Sequence, residues 1–187
     1  MVLRPVNQRQ TYALTPEGED HAFDARDLTL AEDAFRHFRD GLSHPVHPRV
    51  LELMYRAVTH FEAPYVHVVS GFRTTRSSSR HSQGRAVDMV LPGVPDRRLA
   101  RFLQEQGYVG VGVYPTSGFV HLDVRERSHF WVDRSGPGQR SRRRPVQHAR
   151  ARRMDSRARR RGEEAVPDIE LAVRDEAQDD LPEVPGG

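Results

Sequence analysis

Two short apolar runs, Arg85-Ala-Val-Asp-Met-Val90 and Phe119-Val-His-Leu-Asp-Val124, are interrupted by ionisable side chains that an extended backbone gathers on one face. That alternation constrains the fold more than any other feature of the chain. Successive residues of a strand point to opposite faces. Val87, Met89 and Leu91 therefore share one side of the first run, and Ala86, Asp88 and Val90 the other. In the second, Val120, Leu122 and Val124 oppose Phe119, His121 and Asp123. A carboxylate in so apolar a strand is costly unless something positive satisfies it. Each strand thus offers an apolar underside and a polar upper side, and if the two are neighbours, Asp88 and His121 meet above the sheet.

A third group arrives from the loop Ser79-Arg-His-Ser-Gln-Gly84, where Gly84 allows a sharp turn and close approach of His81. Two imidazoles and a carboxylate, in a chain with no cysteine, are the nitrogen and oxygen donors of a zinc site. Three protein ligands leave a fourth position for water, the arrangement of a catalytic centre. Spacing alone leaves a second reading open, in which these are unrelated hydrogen-bonded residues. The chain has ten His, and His21, His37, His44, His47, His60, His67, His129 and His148 are read as surface or hydrogen-bonded groups.

The pattern Ser79-x-His81-x-x-Gly84-x-Ala86-x-Asp88, followed by His121 in an apolar strand, resembles the D-alanyl-D-alanine carboxypeptidase and murein endopeptidase family of zinc peptidases. Ser70-Gly-Phe-Arg73 is similar to that family's Ser-Gly-Tyr-Arg segment. Gly110-Val-Gly-Val-Tyr-Pro115, Ser117-Gly-Phe-Val-His-Leu-Asp123 and Phe130-Trp131 resemble the branch once described as a domain of unknown function. The likeness covers about residues 70–138. It implies one zinc ion held by His81, Asp88 and His121, and an α+β fold with a single antiparallel sheet flanked by helices. It also implies hydrolysis of peptide stems in the bacterial cell wall, and with that a periplasmic or envelope location.

One departure stands out. Family members commonly carry a general base as Glu three residues, or His two residues, before the last ligand; here those positions are Gly118 and Phe119. Asp123 is the nearest carboxylate on the correct face and is assigned the base role, with support of His121 as the alternative. Arg73 is expected to clamp a substrate carboxylate or steady an oxyanion, and Ser79 to position the His81 loop against substrate. A zinc-holding but inactive wall-binding module is the competing function.

The length suits one modest domain. Net charge misleads: of 29 basic and 26 acidic residues, eleven Arg and one acid fall within 139–161, so the remainder is acidic by seven. That Arg-rich block and the acidic, Pro-containing residues 163–187 are expected to form a disordered tail over 139–187. The basic block is a candidate contact for anionic polymer, with association to the acidic block as the alternative. A nucleic-acid role ranks last, because nothing in 27–138 suggests base reading. No apolar run reaches the roughly 20 residues of a membrane span, and the first thirty residues lack the apolar core of a secretory signal.

Residues 1–26 are expected to be a polar lead-in to a peptidase domain over 27–138. Thr29-Leu-Ala-Glu32 predicts a helix start, with Ala31, Ala34, Phe35, Phe38 and Leu42 buried and Gly41 near its end. His47-Pro48 opens a second helix burying Val50, Met54, Ala57, Val58 and Phe61. Strands are predicted at 65–70, 85–91, 108–113 and 119–124, with a helix from Asp96 to Gln106 that Gly107 stops.

Overall fold

The structure, a computed structural model, describes residues 1–17, 22–74, 79–136, 139–145 and 148–168. The first helix, α1 (Ala25–Phe35), starts four residues before the predicted capping box, because Asp24 accepts a hydrogen bond from the Asp27 amide at 2.7 Å. Thr29 sits inside the helix and bonds back to the Ala25 carbonyl. Arg36 turns the backbone to ψ 149°, which ends α1 early. Phe38 and Leu42, expected in the buried stripe, are consequently 63 % and 57 % exposed.

The second helix, α2 (Pro48–Phe61), begins at His47 and Pro48 as the sequence predicts, and buries Val50, Met54 and Ala57. Helix α3 (Asp96–Gln106) buries Leu99 and Leu103, and Gly107 follows it with φ 78°. These helices cover one face of a sheet whose strands are β1 (Val2–Pro5), β2 (Tyr12–Ala13), β3 (Val66–Ser70), β4 (Ala86–Val90), β5 (Val109–Tyr114), β6 (Phe119–Val124), β7 (His129–Asp133) and β8 (Arg143–Pro145). The undersides predicted from alternation belong to the core: Val87, Met89, Leu91, Val120, Leu122 and Val124 are all buried there.

The sheet is not the single antiparallel one expected. Its order is β2-β1-β3-β4-β6-β5-β7-β8, and it is mixed. β1 pairs parallel with β3, and β5 parallel with β7. Both departures follow from the connections. α1 and α2 carry the chain back across the core before β3, giving the long crossover that a parallel pair needs. β6 takes one edge of β5 as a hairpin; the chain then crosses to the other edge, so β7 must run with β5.

The two ends of the chain also correct the sequence reading. The lead-in supplies β1 and β2, and β1 is an inner strand. The segment expected to be a disordered tail contributes β8, antiparallel to β7, and helix α4 (His148–Arg160). Ala151, Met154 and Ala158 line one side of α4 and are buried. Asp155 fastens it by accepting from the amides of Tyr108 and Ser128 at 2.8 and 3.0 Å. Past the helix, Glu163 pairs with Arg49 and Arg56 of α2 and not with the arginines of α4. The acidic run from 169 onward lies outside the described residues, as does part of the Arg-rich loop at 75–78.

Candidate metal centre

Asp88 and His121 are direct partners across the β4–β6 ladder, so the predicted meeting of the two polar faces occurs in register. His121 Nδ1 and Asp88 Oδ1 lie 2.8 Å apart. His81 Nε2 stands 3.3 Å from the same His121 nitrogen and 3.5 Å from Asp88 Oδ1. Among the described residues this is the group of three or more ionisable side chains close enough to hold one metal ion. All three are buried: His81 is 5 % exposed, Asp88 2 % and His121 8 %.

The donors fit a zinc ion. Bonds of about 2.0–2.1 Å at tetrahedral angles imply donor–donor edges of roughly 3.3–3.4 Å. Two edges match that length, and the third is a direct hydrogen bond between His121 and Asp88.

The loop holding His81 is built around Gly84, which has φ 63°. A Cβ at that position would collide with the carbonyl oxygen of Pro45, and the Gly84 carbonyl accepts from the His47 amide at 2.9 Å. The segment before α2 thus clamps the ligand loop.

Each imidazole has its second nitrogen committed. His81 Nδ1 lies 2.6 Å from the Gly71 carbonyl, which can only accept, so this nitrogen carries the proton and Nε2 presents its lone pair to the centre. His121 Nε2 lies 2.9 Å from Asp123 Oδ2, which leaves Nδ1 as the nitrogen facing Asp88 and His81. Outer partners of this kind fix tautomer and ring orientation in metal sites.

The electrostatics agree with that arrangement. Burial pushes the His81 pKa down, more than Asp88 raises it. Burial alone would raise Asp88, but the adjoining His81 and His121 hold it well below the usual carboxylate range. Burial also opposes charge on His121, yet its hydrogen bonds to Asp123 and Asp88 raise its pKa. Asp123 is held low against burial by its hydrogen bonds to His121 and Arg125.

Asp123 therefore touches the far edge of the His121 ring, away from His81 and Asp88. Arg125 Nε donates to its Oδ1 at 2.6 Å, and Arg125 Nη2 contacts its Oδ2. Arg73 is brought to the centre: Nη2 donates to Asp88 Oδ2, while Nε donates to Ser70 Oγ at 2.9 Å. Ser79 lines the cleft over the centre, and its carbonyl accepts from Ser82 Oγ at 2.7 Å. That cleft encloses about 710 Å³.

Sequence reasoning gave no site role to several residues that shape it. Gly110 and Gly112 of β5 lie opposite Asp123 and His121. A Cβ at Gly110 would strike the Asp123–Arg125 pair, and one at Gly112 the indole of Trp131. Trp131 leans on His121 with ring centroids 5.2 Å apart, and its Nε1 donates to Tyr114 Oη at 3.1 Å. The signal was present: two alternate glycines must share a face, and their hairpin partner carried His121 and Asp123 at the same period. The Gly71 carbonyl and Arg125 left no comparable trace.

A buried triad of two imidazoles and a carboxylate, opening on a cleft and aligned from outside by a carbonyl and a carboxylate, is the architecture of a metallohydrolase. The chain belongs to the family described as peptidoglycan L,D-endopeptidase MepK, whose profile matches residues 8–130. The motif resemblance therefore holds at the level of the family. Among curated relatives, the peptidoglycan L,D-endopeptidase MepK of Escherichia coli strain K12 is 27 % identical over 119 residues, covering 56 % of this chain and 65 % of that protein. The probable peptidoglycan L,D-endopeptidase MepK of Haemophilus influenzae is 26 % identical over 101 residues, covering 46 % of this chain and 54 % of that protein. The chain thus spans between half and two thirds of the length of these relatives. No solved structure matches it. Among the described residues, no helix is long and apolar enough to cross a membrane.

Proposed function

We propose that this chain is a zinc-dependent peptidase that hydrolyses peptide bonds in peptidoglycan stems or cross-links, with His81, Asp88 and His121 holding one zinc ion. The observation carrying this reading is the buried triangle of donor atoms in which each imidazole has its other nitrogen already bonded. Zinc in that position supplies Lewis-acid polarisation of a carbonyl and a water pKa lowered to about 7. The side chains divide the remaining work. The Gly71 carbonyl and Asp123 orient the two imidazoles, so Asp123 is read as a positioning residue in place of the base assigned from sequence. Arg73, already beside Asp88, is read as the cation facing negative charge that develops on the substrate carbonyl oxygen. Ser79 contributes to the cleft wall against which a peptide lies. Action on this substrate implies a periplasmic or envelope location, as it does for a wall enzyme generally.

The test is direct. Zinc-loaded protein should release peptide fragments from purified muropeptides, identified by mass spectrometry, and His81→Ala should abolish release. Equal release by the two proteins would remove the metal mechanism.

One observation favours a second reading, a zinc-holding module that binds wall without cutting it. Gly118 and Phe119 occupy the positions where a base is expected, and Asp123 faces away from the centre. Zinc-dependent sedimentation with wall sacculi, without fragment release under any condition, would establish that module instead.

A further inference from the structure

Among the described residues three arginines line the cleft, Arg73, Arg80 and Arg125, and they are not equivalent. Arg73 is engaged by Asp88 of the centre, and Arg125 by Asp123, which orients His121 from outside it. Arg80, next in sequence to His81, is bound differently. Its Nη2 pairs with Oδ1 of Asp168 at 2.8 Å, a residue 88 positions away whose side chain is 47 % exposed. Its Nε lies 3.4 Å from Asp123 Oδ1 but is a buried donor without a hydrogen-bond partner.

Asp168 reaches this place along a short return segment after α4. Glu163 anchors the segment on Arg49 and Arg56. The carbonyls of Val166 and Pro167 then accept from Nη2 of the buried Arg85 at 3.2 and 2.8 Å. These contacts hold the segment on their own, so the Asp168–Arg80 pair at its end is the exposed and replaceable one. An exposed ion pair is weak because water competes for both partners. A guanidinium can take a carboxylate through two parallel hydrogen bonds, and Arg80 presents one unfilled donor beside the one that Asp168 uses.

We propose that Arg80 is a carboxylate-recognition residue of the cleft, and that Asp168 is its internal stand-in, displaced when a peptide bearing a free carboxylate enters. The proposal rests on the peptidase reading and narrows its substrate class to acidic stem peptides whose carboxylate is not amidated. It also makes the return segment a mild competitor of substrate at the same site.

The chain carries one tryptophan, Trp131, and it stands in the cleft against His121, so its fluorescence reports binding independently of turnover. The experiment uses full-length zinc-loaded protein and stopped-flow titration with two probes: a synthetic stem peptide ending in a free carboxylate, and its C-terminal carboxamide. The wild type should bind the acid on the order of fivefold more tightly than the amide, the size expected of one partly exposed charge-assisted contact. Arg80→Gln should erase the difference while leaving amide binding as it was. Asp168→Asn should act in the opposite sense and tighten acid binding by about twofold to fivefold. Equal affinity for both probes in the wild type overturns the proposal. So does discrimination that survives Arg80→Gln, or an unchanged acid affinity in Asp168→Asn. A protein whose fluorescence responds to neither probe removes the peptidase reading together with the proposal.

Discussion

Asp88 and His121 face each other across the β4–β6 ladder with Oδ1 and Nδ1 2.8 Å apart, each buried and each in contact with His81. The pair shows how little freedom the centre has. Two inner strands, one hydrogen-bonded step and a clamped loop set all three donor positions before any ligand arrives. Rigid placement of this sort is what a metal site needs to select geometry.

Replacing a donor should therefore cost metal without costing the fold. For Asp88→Asn and His121→Ala we expect zinc affinity to drop by at least two orders of magnitude, measured by competition against a chromophoric chelator. Asp88→Asn should also loosen Arg73, which loses its ionic partner. Retention of wild-type zinc affinity by either variant would contradict the assignment.

Asp123→Asn should behave as an outer-shell change. A neutral amide oxygen accepts from His121 Nε2 less strongly than a carboxylate, the amide nitrogen cannot accept at all, and the Arg125 pair is weakened. Losses of about 10- to 100-fold in zinc affinity follow from such changes. If Asp123 were instead the proton shuttle, zinc affinity would stay near wild type while turnover fell; the two readings separate in one pair of measurements.

Gly112→Ala should destabilise the protein by about 1–3 kcal/mol, the usual range for inserting a methyl into filled space. The new Cβ meets the indole of Trp131 directly. Chemical denaturation reads the stability, and a shifted Trp131 emission reads the displaced ring. Unchanged emission and stability would mean that the cleft floor is softer than the structure indicates.

Acid should release the return segment before it unfolds the core. Burial works to raise the pKa of Glu163, but Arg56 and Arg49 bring it below the ordinary glutamate value. A depressed folded-state pKa means stabilisation that is complete above the unfolded value, about 4.3, and lost as pH falls through the folded one. Hydrogen exchange of residues 162–168 should therefore accelerate below about pH 4, while β4 and β6 stay protected. Glu163→Gln should show that acceleration already at neutral pH.

The helix that the charge pattern concealed is instructive. Over 139–161 the composition reads as a solvated polyelectrolyte, and most of α4 does face water. Three small or flexible residues, Ala151, Met154 and Ala158, recur at helical spacing, and they form its buried stripe. Composition averages over that stripe, whereas packing needs only the stripe. α1 fails in the opposite way. Phe38 and Leu42 continue its apolar period, but the backbone turns at Arg36, and the Phe35 carbonyl instead accepts from the Phe72 amide at 2.7 Å beside the site.

Local alternation was enough to place Asp88 and His121 on one face, to put Val87, Met89 and Leu122 beneath them, and to make Gly84 the turn that brings in His81. Those are properties of a chain a few residues long, and backbone geometry enforces them wherever the segment sits. Which strands are neighbours, which pairs run parallel, which nitrogen of each imidazole is occupied, and where Asp123 and Asp168 find their arginines were decided only by the tertiary structure. Most of these contacts join residues far apart in the chain, such as Asp88 with His121 and Arg80 with Asp168, and even the short-range set of His121, Asp123 and Arg125 depends on how the sheet presents its polar face. They are settled when the apolar faces of sheet and helices close on each other and leave the polar face to arrange what remains.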